Sequence, residues 1–160
     1  MDKEKLTEKV NTTLSELASL IGYEAETTVD ISENEKGTLV SVTLNSDDLG
    51  FLIGYHGQNL ESFQSVLQLM LNRAFEGGIR VVVNVNNYRE KREEVLTEMA
   101  MRAVEYVREY KVEKHLSPMK PNDRRIVHLA LQDLPDISTE SVGEGEDRRV
   151  VIKLKEVVNI

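Results

Sequence analysis

The chain of 160 residues contains no cysteine and only 3 prolines. The absence of cysteine excludes disulfide bonds, thiolate nucleophiles and cysteine-ligated zinc. No apolar run approaches the roughly 18 residues that a membrane-spanning helix needs, so we expect no insertion into a membrane. A chain without cysteine suits a reducing compartment, and we therefore expect a cytoplasmic protein.

The residues that are present favour a folded, globular protein. Apolar residues make up 40% of the chain and charged residues 30%, so one domain or two small ones can bury a core. The net charge of -8 argues against a protein that coats DNA through bulk charge. Residues 1–86 hold 6 basic and 13 acidic side chains, and residues 87–160 hold 14 and 15. The basic residues therefore lie mainly in the second half. The net negative charge does not exclude a local nucleic-acid site.

The spacing of apolar residues predicts six elements in the first half. Leu6, Val10 and Leu14 recur every four residues before Gly22, which is typical of an amphipathic helix with a glycine stop. Residues 32–37 are polar and end in glycine, so they predict the loop of a β-hairpin. The predicted elements are a helix over 3–21, strands over 24–31 and 38–45, a short helical segment over 49–53, a helix that ends at Gly77, and a strand over 79–85. In the last of these helices we expect an inward face of Leu60, Phe63, Val66, Leu67, Met70, Leu71, Ala74 and Phe75.

The second half begins with the longest helical pattern of the chain, over residues 87–110. Pro121 then opens a shorter helix that runs to about Gln132, since proline is favoured at the first helical position. Two β-branched runs flank a glycine-rich turn and predict a hairpin, with strands over 137–142 and 148–154. This half is therefore predicted to contain two helices followed by a β-hairpin.

The segment Gly54-Tyr55-His56-Gly57 lies between two predicted helices. Glycines three residues apart permit a tight turn in which the backbone approaches a phosphate, and the free N–H groups of the next helix point toward such an anion. The spacing is too short for a P-loop or a dinucleotide-binding loop, both of which need more glycines and a preceding strand. The alternative is an ordinary helix-to-helix turn.

Residues 1–86 resemble a KH domain of the second topological type, because the segment 53–58 falls at the helix-to-helix junction of the order helix, strand, strand, helix, helix, strand. The resemblance implies a loop that grips about four unpaired nucleotides, with the bases along an apolar groove beside it. The implied contact residues are Gly54, Tyr55, His56, Gly57 and Gln58. KH loops usually carry a basic residue between the glycines, so attraction for phosphate is weak here, and Tyr55 is instead expected to stack on a base.

A second candidate site lies on the predicted short helix. At about 100° per residue, Arg124, Arg125, His128 and Gln132 share one sector, and apolar residues fill the rest. We therefore expect His128 on the solvent-exposed face rather than in the core. An arginine and a histidine one turn apart can hold a phosphate and a base or sugar of a single strand. A metal site is not supported, because three histidines without cysteine give no familiar ligand spacing.

Residues 87–156 resemble the R-three-H domain, which is named for an arginine and a histidine separated by three residues, here Arg124 and His128. Members of that family bind single-stranded nucleic acid. The resemblance therefore implies contact roles for Arg124 and His128, and we include the adjacent Arg125 in the predicted site.

The order of the two domains is similar to that of the bacterial Jag family, also called SpoIIIJ-associated, KhpB or EloR. The similarity is carried by residues 124–131 and by Thr139-Glu140-Ser141. This sequence departs from the family's pattern at the front, where many members carry an additional small domain and a charged linker. The resemblance implies a regulatory role in bacterial RNA metabolism, linked to cell elongation and division, often with a small KH-only partner protein.

We therefore expect an α+β protein with a KH domain over 1–86 and an R-three-H domain over 87–160, which binds single-stranded RNA. Single-stranded DNA remains an alternative ligand, and a homodimer is compatible with the sequence. No nucleophile, base and orienting partner can be assembled from the spacing, so we expect no catalytic step, no metal and no cofactor. The rival interpretation is a protein-interaction adaptor in which both folds dock partners instead of RNA.

Overall fold

The computed structural model describes residues 2–35 and 37–155, and the chain divides into two compact units, over residues 1–89 and 90–160. The helices are α1 (Lys3–Ile21), α2 (Gly50–Ile53), α3 (Gln58–Ala74), α4 (Tyr88–Tyr110) and α5 (Pro121–Leu131). The strands are β1 (Glu26–Asn34), β2 (Gly37–Asn45), β3 (Ile79–Val85), β4 (Lys114–His115), β5 (Ile137–Val142) and β6 (Arg149–Leu154). Short 3₁₀ turns cover Tyr55–Gly57 and Gly145–Asp147. Within the described residues, no helix combines the length and the apolar character needed to cross a bilayer.

The first unit contains a three-stranded sheet of order β1-β2-β3. β2 pairs antiparallel with β1, through pairs such as Val29 and Val42, and parallel with β3, through pairs such as Val42 and Val83. Every second side chain of β2 and β3 is buried, because alternate residues of a strand face the same side. α1 and α3 contribute side chains to the same core. The predicted order of helix, strand, strand, helix, helix, strand is confirmed, and so is the α+β class.

The hairpin of β1 and β2 is longer than the sequence predicted. Residues 32–37 are the predicted loop, whereas the two strands extend to Asn34 and Gly37, which pair with each other. Ser32 and Glu33 are exposed residues of β1. Consecutive strand residues point to opposite faces, so the edge strand β1 is open to solvent on both sides at this end. The polarity of the segment reflects that exposure, and the predicted boundary was wrong for this reason.

The helix α3 buries a narrower face than predicted. Four of the eight expected side chains are buried, namely Leu60, Phe63, Leu67 and Leu71. Val66 is 46% exposed, and Ala74 is also exposed. The buried residues lie three and four positions apart and form one stripe, and Val66 and Ala74 lie outside it. The prediction of Val66 and Ala74 as inward residues was therefore wrong.

The second unit contains a three-stranded antiparallel sheet of order β4-β6-β5, which shares a core with α4 and α5. The hairpin of β5 and β6 is confirmed, and α5 begins at Pro121 as predicted. The edge strand β4 was not predicted, because a strand of two residues carries no alternation of polar and apolar side chains. The shared core consists of Leu96, Ala100, Ala103, Val104, Val107, Leu116, Val127, Leu131, Ile137, Val150 and Ile152.

Candidate nucleic-acid interface

The loop between α2 and α3 has a left-handed backbone at three of its four residues. The angle φ is +68° at Gly54, +48° at His56 and +78° at Gly57. Glycine adopts this region without strain, whereas a residue with a Cβ atom rarely does. The turn therefore requires glycine at positions 54 and 57, and the surrounding structure holds His56 in its conformation.

The space next to both glycines is occupied. A Cβ added to Gly54 would lie 2.5 Å from Cγ of Asn59, and one added to Gly57 would lie 2.8 Å from Cε1 of Tyr88. Asn59 is itself fixed, because its Nδ2 donates to the carbonyl oxygen of Phe51 at 2.7 Å. Gly57 is buried, so it shapes the loop but offers little surface to a ligand.

The two residues between the glycines face solvent. Tyr55 is 78% exposed, and His56 is exposed as well. Their rings stack on each other with centroids 4.0 Å apart and planes inclined by 21°. The loop thus presents an aromatic surface of two rings, which suits stacking on an unpaired base.

The helix α3 starts immediately after this loop, with the exposed Gln58 as its first residue. Gly57 is the N-cap residue, and because glycine has no side chain it makes no side-chain capping bond. The helix dipole places partial positive charge at this end, where the first N–H groups of the helix point outward. Glu61 lies in the first turn and offsets part of that charge. The loop and helix end together suit a weakly held anion beside a stacked base.

Two glutamines of α3 close the outer edge of β3, which is an edge strand of its sheet. The Oε1 atom of Gln64 accepts the backbone N–H of Val83 at 3.0 Å. The Oε1 atom of Gln68, one helical turn further on, accepts the backbone N–H of Val81 at 2.9 Å. We call Gln64 and Gln68 the glutamine pair. Edge strands usually leave such N–H groups open to another strand, and here the helix occupies them.

Asn72 and Arg89 complete this edge. Asn72 bonds both backbone groups of Ile79, since its Oδ1 accepts the N–H at 2.9 Å and its Nδ2 donates to the carbonyl at 2.8 Å. Arg89 donates from Nε to the carbonyl of Val83 at 2.9 Å and from Nη2 to Oε1 of Gln64 at 2.6 Å. These contacts were not predicted from the sequence. The only sequence pattern that could have indicated them is the spacing of Gln64, Gln68 and Asn72 by four residues each. That spacing is also found on any solvent-exposed polar face of a helix.

The second candidate site lies on α5. Arg124 is half-buried, and its Nη1 donates to the carbonyl oxygen of Met119 at 2.7 Å. Arg125 is exposed. Among the ion pairs of residues 2–35 and 37–155, none includes Arg124 or Arg125. Both guanidinium groups therefore retain donors for an external anion.

His128 is half-buried beside β5, whereas the helix pattern placed it on the open face. Its Nδ1 lies 2.7 Å from Oγ1 of Thr139, and its Nε2 lies 2.9 Å from Oγ of Ser141. Burial lowers the pKa of His128 below its ordinary value of 6.5, and the positive charge of Arg124 lowers it further. His128 is therefore neutral at pH 7 and joins α5 to β5. The prediction of an exposed histidine was wrong, because helical periodicity does not reveal which neighbouring strand covers a polar sector.

A largely buried ion pair, which was not predicted from the sequence, holds the start of α5. The Nη2 atom of Arg92 in α4 lies 2.7 Å from Oδ2 of Asp123, and only 17% and 10% of the two side chains are exposed. Asp123 immediately precedes Arg124 in the first turn of α5, so this contact positions the Arg124 backbone. The partners are 31 residues apart, and no local spacing links them.

An apolar groove of about 290 Å³ lies between α1, α2 and α3. Its apolar lining comprises Leu17, Ile21, Phe51, Leu52, Phe63 and Val66. Phe51 is 50% exposed, and the groove adjoins the glycine loop at Asn59. Apolar surface of this kind accommodates either a nucleobase or an apolar side chain of a partner.

Within the part of the chain that the structure describes, no three histidine, aspartate or glutamate side chains come together as a metal ion would require. His56 stacks on Tyr55, His115 contacts Glu113, and His128 contacts two hydroxyl groups.

Two family models match the chain, in the order of the two units. A model described as "KhpA/KhpB, KH domain" matches residues 11–85, and the model of the R-three-H domain matches residues 94–154. The loop over residues 54–57 lies within the first match. Arg124 and His128 lie within the second.

The chain is also similar to several proteins named RNA-binding protein KhpB. The protein of Clostridium symbiosum is 37% identical over 153 residues, which cover 96% of this chain and 68% of that protein. The protein of Bacillus subtilis is 34% identical over 128 residues, or 79% of this chain and 62% of that protein. The protein of Streptococcus pneumoniae is 26% identical over 145 residues, or 91% of this chain and 44% of that protein. The matches thus span between 44% and 68% of the length of these relatives.

Proposed function

The chain belongs to the KhpB family, in which a KH domain precedes an R-three-H domain, and from that membership we propose that it binds single-stranded RNA through one site in each domain. In this proposal residues 1–86 act as the KH domain and residues 87–160 as the R-three-H domain. The protein acts in the cytoplasm and has no catalytic step. A regulatory role in bacterial RNA metabolism, linked to cell elongation or division, is part of the proposal and rests on family membership alone.

The exposed rings of Tyr55 and His56 are the observation that carries the proposal. Base stacking on an aromatic side chain needs an open ring face on a rigid support. Gly54 and Gly57 give the loop its shape, and the unpaired strand passes over the loop so that a base stacks on Tyr55. A phosphate of the same strand lies near the N-terminus of α3, beside Gln58.

In the second domain, Arg124 and Arg125 supply the positive charge, and each binds a phosphate of the strand. His128 acts differently from the arginines. Because it is neutral at pH 7 and bonded to Thr139 and Ser141, it fixes α5 against β5 and contacts a sugar or base only through its exposed edge. Each site alone binds weakly, and covalent linkage raises the affinity when one strand reaches both sites.

A protein-interaction adaptor is the second candidate function, and the apolar groove between α1, α2 and α3 favours it. Half-exposed apolar side chains such as Phe51 and Val66 are typical of surfaces that bind other proteins. In this alternative the groove docks a small KH-only protein or a second copy of the chain, and the glycine loop only connects two helices.

The dependence of affinity on salt distinguishes the two functions. The whole chain is titrated against short, unstructured RNA and DNA of the same sequence at several salt concentrations. If phosphate contacts dominate, log K falls linearly with log salt, with a slope of about −0.7 for each phosphate contact. A shallow or absent salt dependence, or no measurable affinity for either nucleic acid, contradicts the proposal and favours the adaptor. If RNA and DNA bind with equal affinity, the two proposed sites still stand, but the protein is not specific for RNA.

A further inference from the structure

The sheet of the first unit has two edges, which differ in whether their backbone groups are occupied. At the β3 edge, three backbone N–H groups are bonded to the glutamine pair and Asn72. β1 forms the other edge and pairs with β2 alone. Within residues 2–35 and 37–155, no hydrogen bond joins the outer backbone groups of residues 26–32 to another part of the chain. β1 therefore leaves backbone donors and acceptors open to solvent.

The direction of the backbone groups in β2 follows from two hydrogen bonds on its β3 side. The N–H of Thr38 donates to the carbonyl oxygen of Gly78 at 3.1 Å, and the N–H of Asn86 donates to the carbonyl oxygen of Leu44 at 3.0 Å. The backbone groups of successive strand residues point alternately to the two sides. The even-numbered residues of β2 therefore bond toward β3, and the odd-numbered residues bond toward β1.

The same alternation identifies the outward groups of β1. Thr27, Val29 and Ile31 lie opposite even-numbered residues of β2. Such opposite residues exchange no hydrogen bond, so these three residues direct their N–H and C=O groups away from β2. We call Thr27, Val29 and Ile31 the open edge. Thr27 is exposed and Val29 is half-buried, so a further strand can reach their backbone groups.

A groove of about 470 Å³ adjoins the open edge, between α1 and the start of β1. Its apolar lining consists of Leu14, Ala18, Tyr23 and Ala25, and Thr27 of the open edge also lines it. Alternate side chains of a strand share one face, so a strand added beside Thr27 would place every second side chain over this groove. Peptides that add to a sheet edge gain affinity from the backbone bonds and specificity from pockets for alternate side chains.

The charge beside the open edge selects the chemistry of the partner. Residues 23–35 contain five acidic side chains and no basic side chain. Glu26 and Asp30 are exposed and lie on the face of the sheet opposite to that of Thr27, because each is an odd number of positions from it. Their charges repel the phosphates of a nucleic acid and the same edge of a second copy, and they stabilise a neighbouring strand that carries basic side chains.

We propose that the open edge binds an extended, basic segment of a partner protein as an additional strand of the sheet. Two lysine or arginine side chains of that segment, four positions apart, lie beside Glu26 and Asp30. Apolar side chains at the alternate positions between them lie over the groove against α1. None of these residues of the chain belongs to the loop over residues 54–57 or to α5, so RNA and the peptide use different residues.

The test titrates the full chain with a peptide of nine residues, the length of β1, blocked at both ends and centred on Lys-Val-Thr-Val-Lys. In the complex we expect hydrogen exchange at the Thr27 and Val29 amides to slow about tenfold or more, because these N–H groups become bonded. The amides of Thr28 and Asp30 change little, since they already bond to β2. A matched peptide with glutamate in place of both lysines binds about threefold or more weakly. Failure of the lysine peptide to bind, or slowed exchange that does not alternate along β1, overturns the proposal.

Thr27→Pro removes one outward N–H and no bond to β2, since proline is tolerated where the N–H of an edge strand faces away from its sheet. It should weaken the lysine peptide about threefold or more and leave the melting temperature and RNA affinity of the chain unchanged. Asp30→Lys leaves the backbone intact and tests the same edge through its charge. This variant should weaken the lysine peptide about three- to tenfold. Glu16→Lys is the control, because Glu16 is an exposed residue of α1 that does not line the groove.

Three results contradict the proposal without touching the proposed RNA sites. The first is unchanged peptide affinity in a folded Thr27→Pro variant, or equal losses in Asp30→Lys and Glu16→Lys. The second is self-association of the chain that Thr27→Pro abolishes, which would assign the open edge to a second copy. The third is slowed exchange at Thr27 and Val29 on addition of single-stranded RNA, which would assign the edge to nucleic acid.

Discussion

The ring of Tyr88, at the start of α4, occupies the position that a side chain on Gly57 would need, with Cε1 2.8 Å from the site of a Cβ. Gly57→Ala therefore forces this ring to move and also places alanine at a φ of +78°. We expect a loss of about 2–4 kcal/mol in the free energy of unfolding, measured with denaturant. Gly77→Ala is the control, because φ is +98° there and no atom lies within 4 Å of the added Cβ. If both variants lose the same free energy, the Tyr88 contact is unimportant.

The double substitution Tyr55→Asp and His56→Asp tests the loop as an RNA contact. Removal of the exposed ring and addition of two negative charges should lower RNA affinity at least tenfold, since stacking on one base contributes about 1–3 kcal/mol. Aspartate tolerates the left-handed backbone of position 56 better than most residues, so the melting temperature should change little.

The matched control adds the same two charges to exposed positions of α1, as Asn11→Asp and Ser15→Asp. This variant reports general repulsion between the protein and the nucleic acid. Equal RNA affinity of the two double variants would exclude the loop from the interface.

Arg124→Ala tests the second site. Loss of one phosphate contact should weaken RNA binding and make the salt dependence shallower by about 0.7 in the slope of log K against log salt. Arg102→Ala is a suitable control, because Arg102 is exposed on α4 and paired with Glu98 at 3.1 Å. A slope unchanged by Arg124→Ala, measured by titration at several salt concentrations, would remove Arg124 from the interface.

His128 should make folding sensitive to acid. Its pKa in the folded protein is lowered by burial and by Arg124, so below about pH 6.5 the unfolded chain binds more protons than the folded chain. The stability contributed by neutral His128 is complete above that pH and is lost as the pH falls through the folded-state value. Melting temperatures between pH 8 and pH 5 should therefore fall more steeply for the unmodified chain than for His128→Gln. Parallel curves would contradict this assignment.

Asp123→Asn tests the ion pair with Arg92. The guanidinium loses its charged partner at a site where little of either side chain is exposed, and we expect a loss of about 3 kcal/mol in the free energy of unfolding. Arg102→Ala, which breaks the exposed pair with Glu98, should cost less than about 1 kcal/mol. A double-mutant cycle with Arg92→Leu measures the coupling directly. A coupling near zero would show that the pair does not stabilise the start of α5.

Local patterns were sufficient for most of the element order. The glycines at 54 and 57 marked the loop because glycine adopts a left-handed backbone without strain, and the helix start at Pro121 follows from the fixed φ of proline. The spacing of Arg124 and His128 put both on one side of α5. This spacing did not reveal that hydroxyl groups of β5 bind His128. Which strand packs against a helix face depends on contacts outside the helix.

The sequence by itself determined the α+β composition, the succession of helices and strands and the exposed aromatic loop, since each depends on residues within about one or two helical turns of one another. Only the tertiary structure decided that Gln64 and Gln68 bond to the edge of β3, and that Arg92 meets Asp123. These partners are 13 to 31 residues apart. A polar side chain on a helix has the same local sequence pattern whether it faces water or a distant backbone group, and packing alone distinguishes the two.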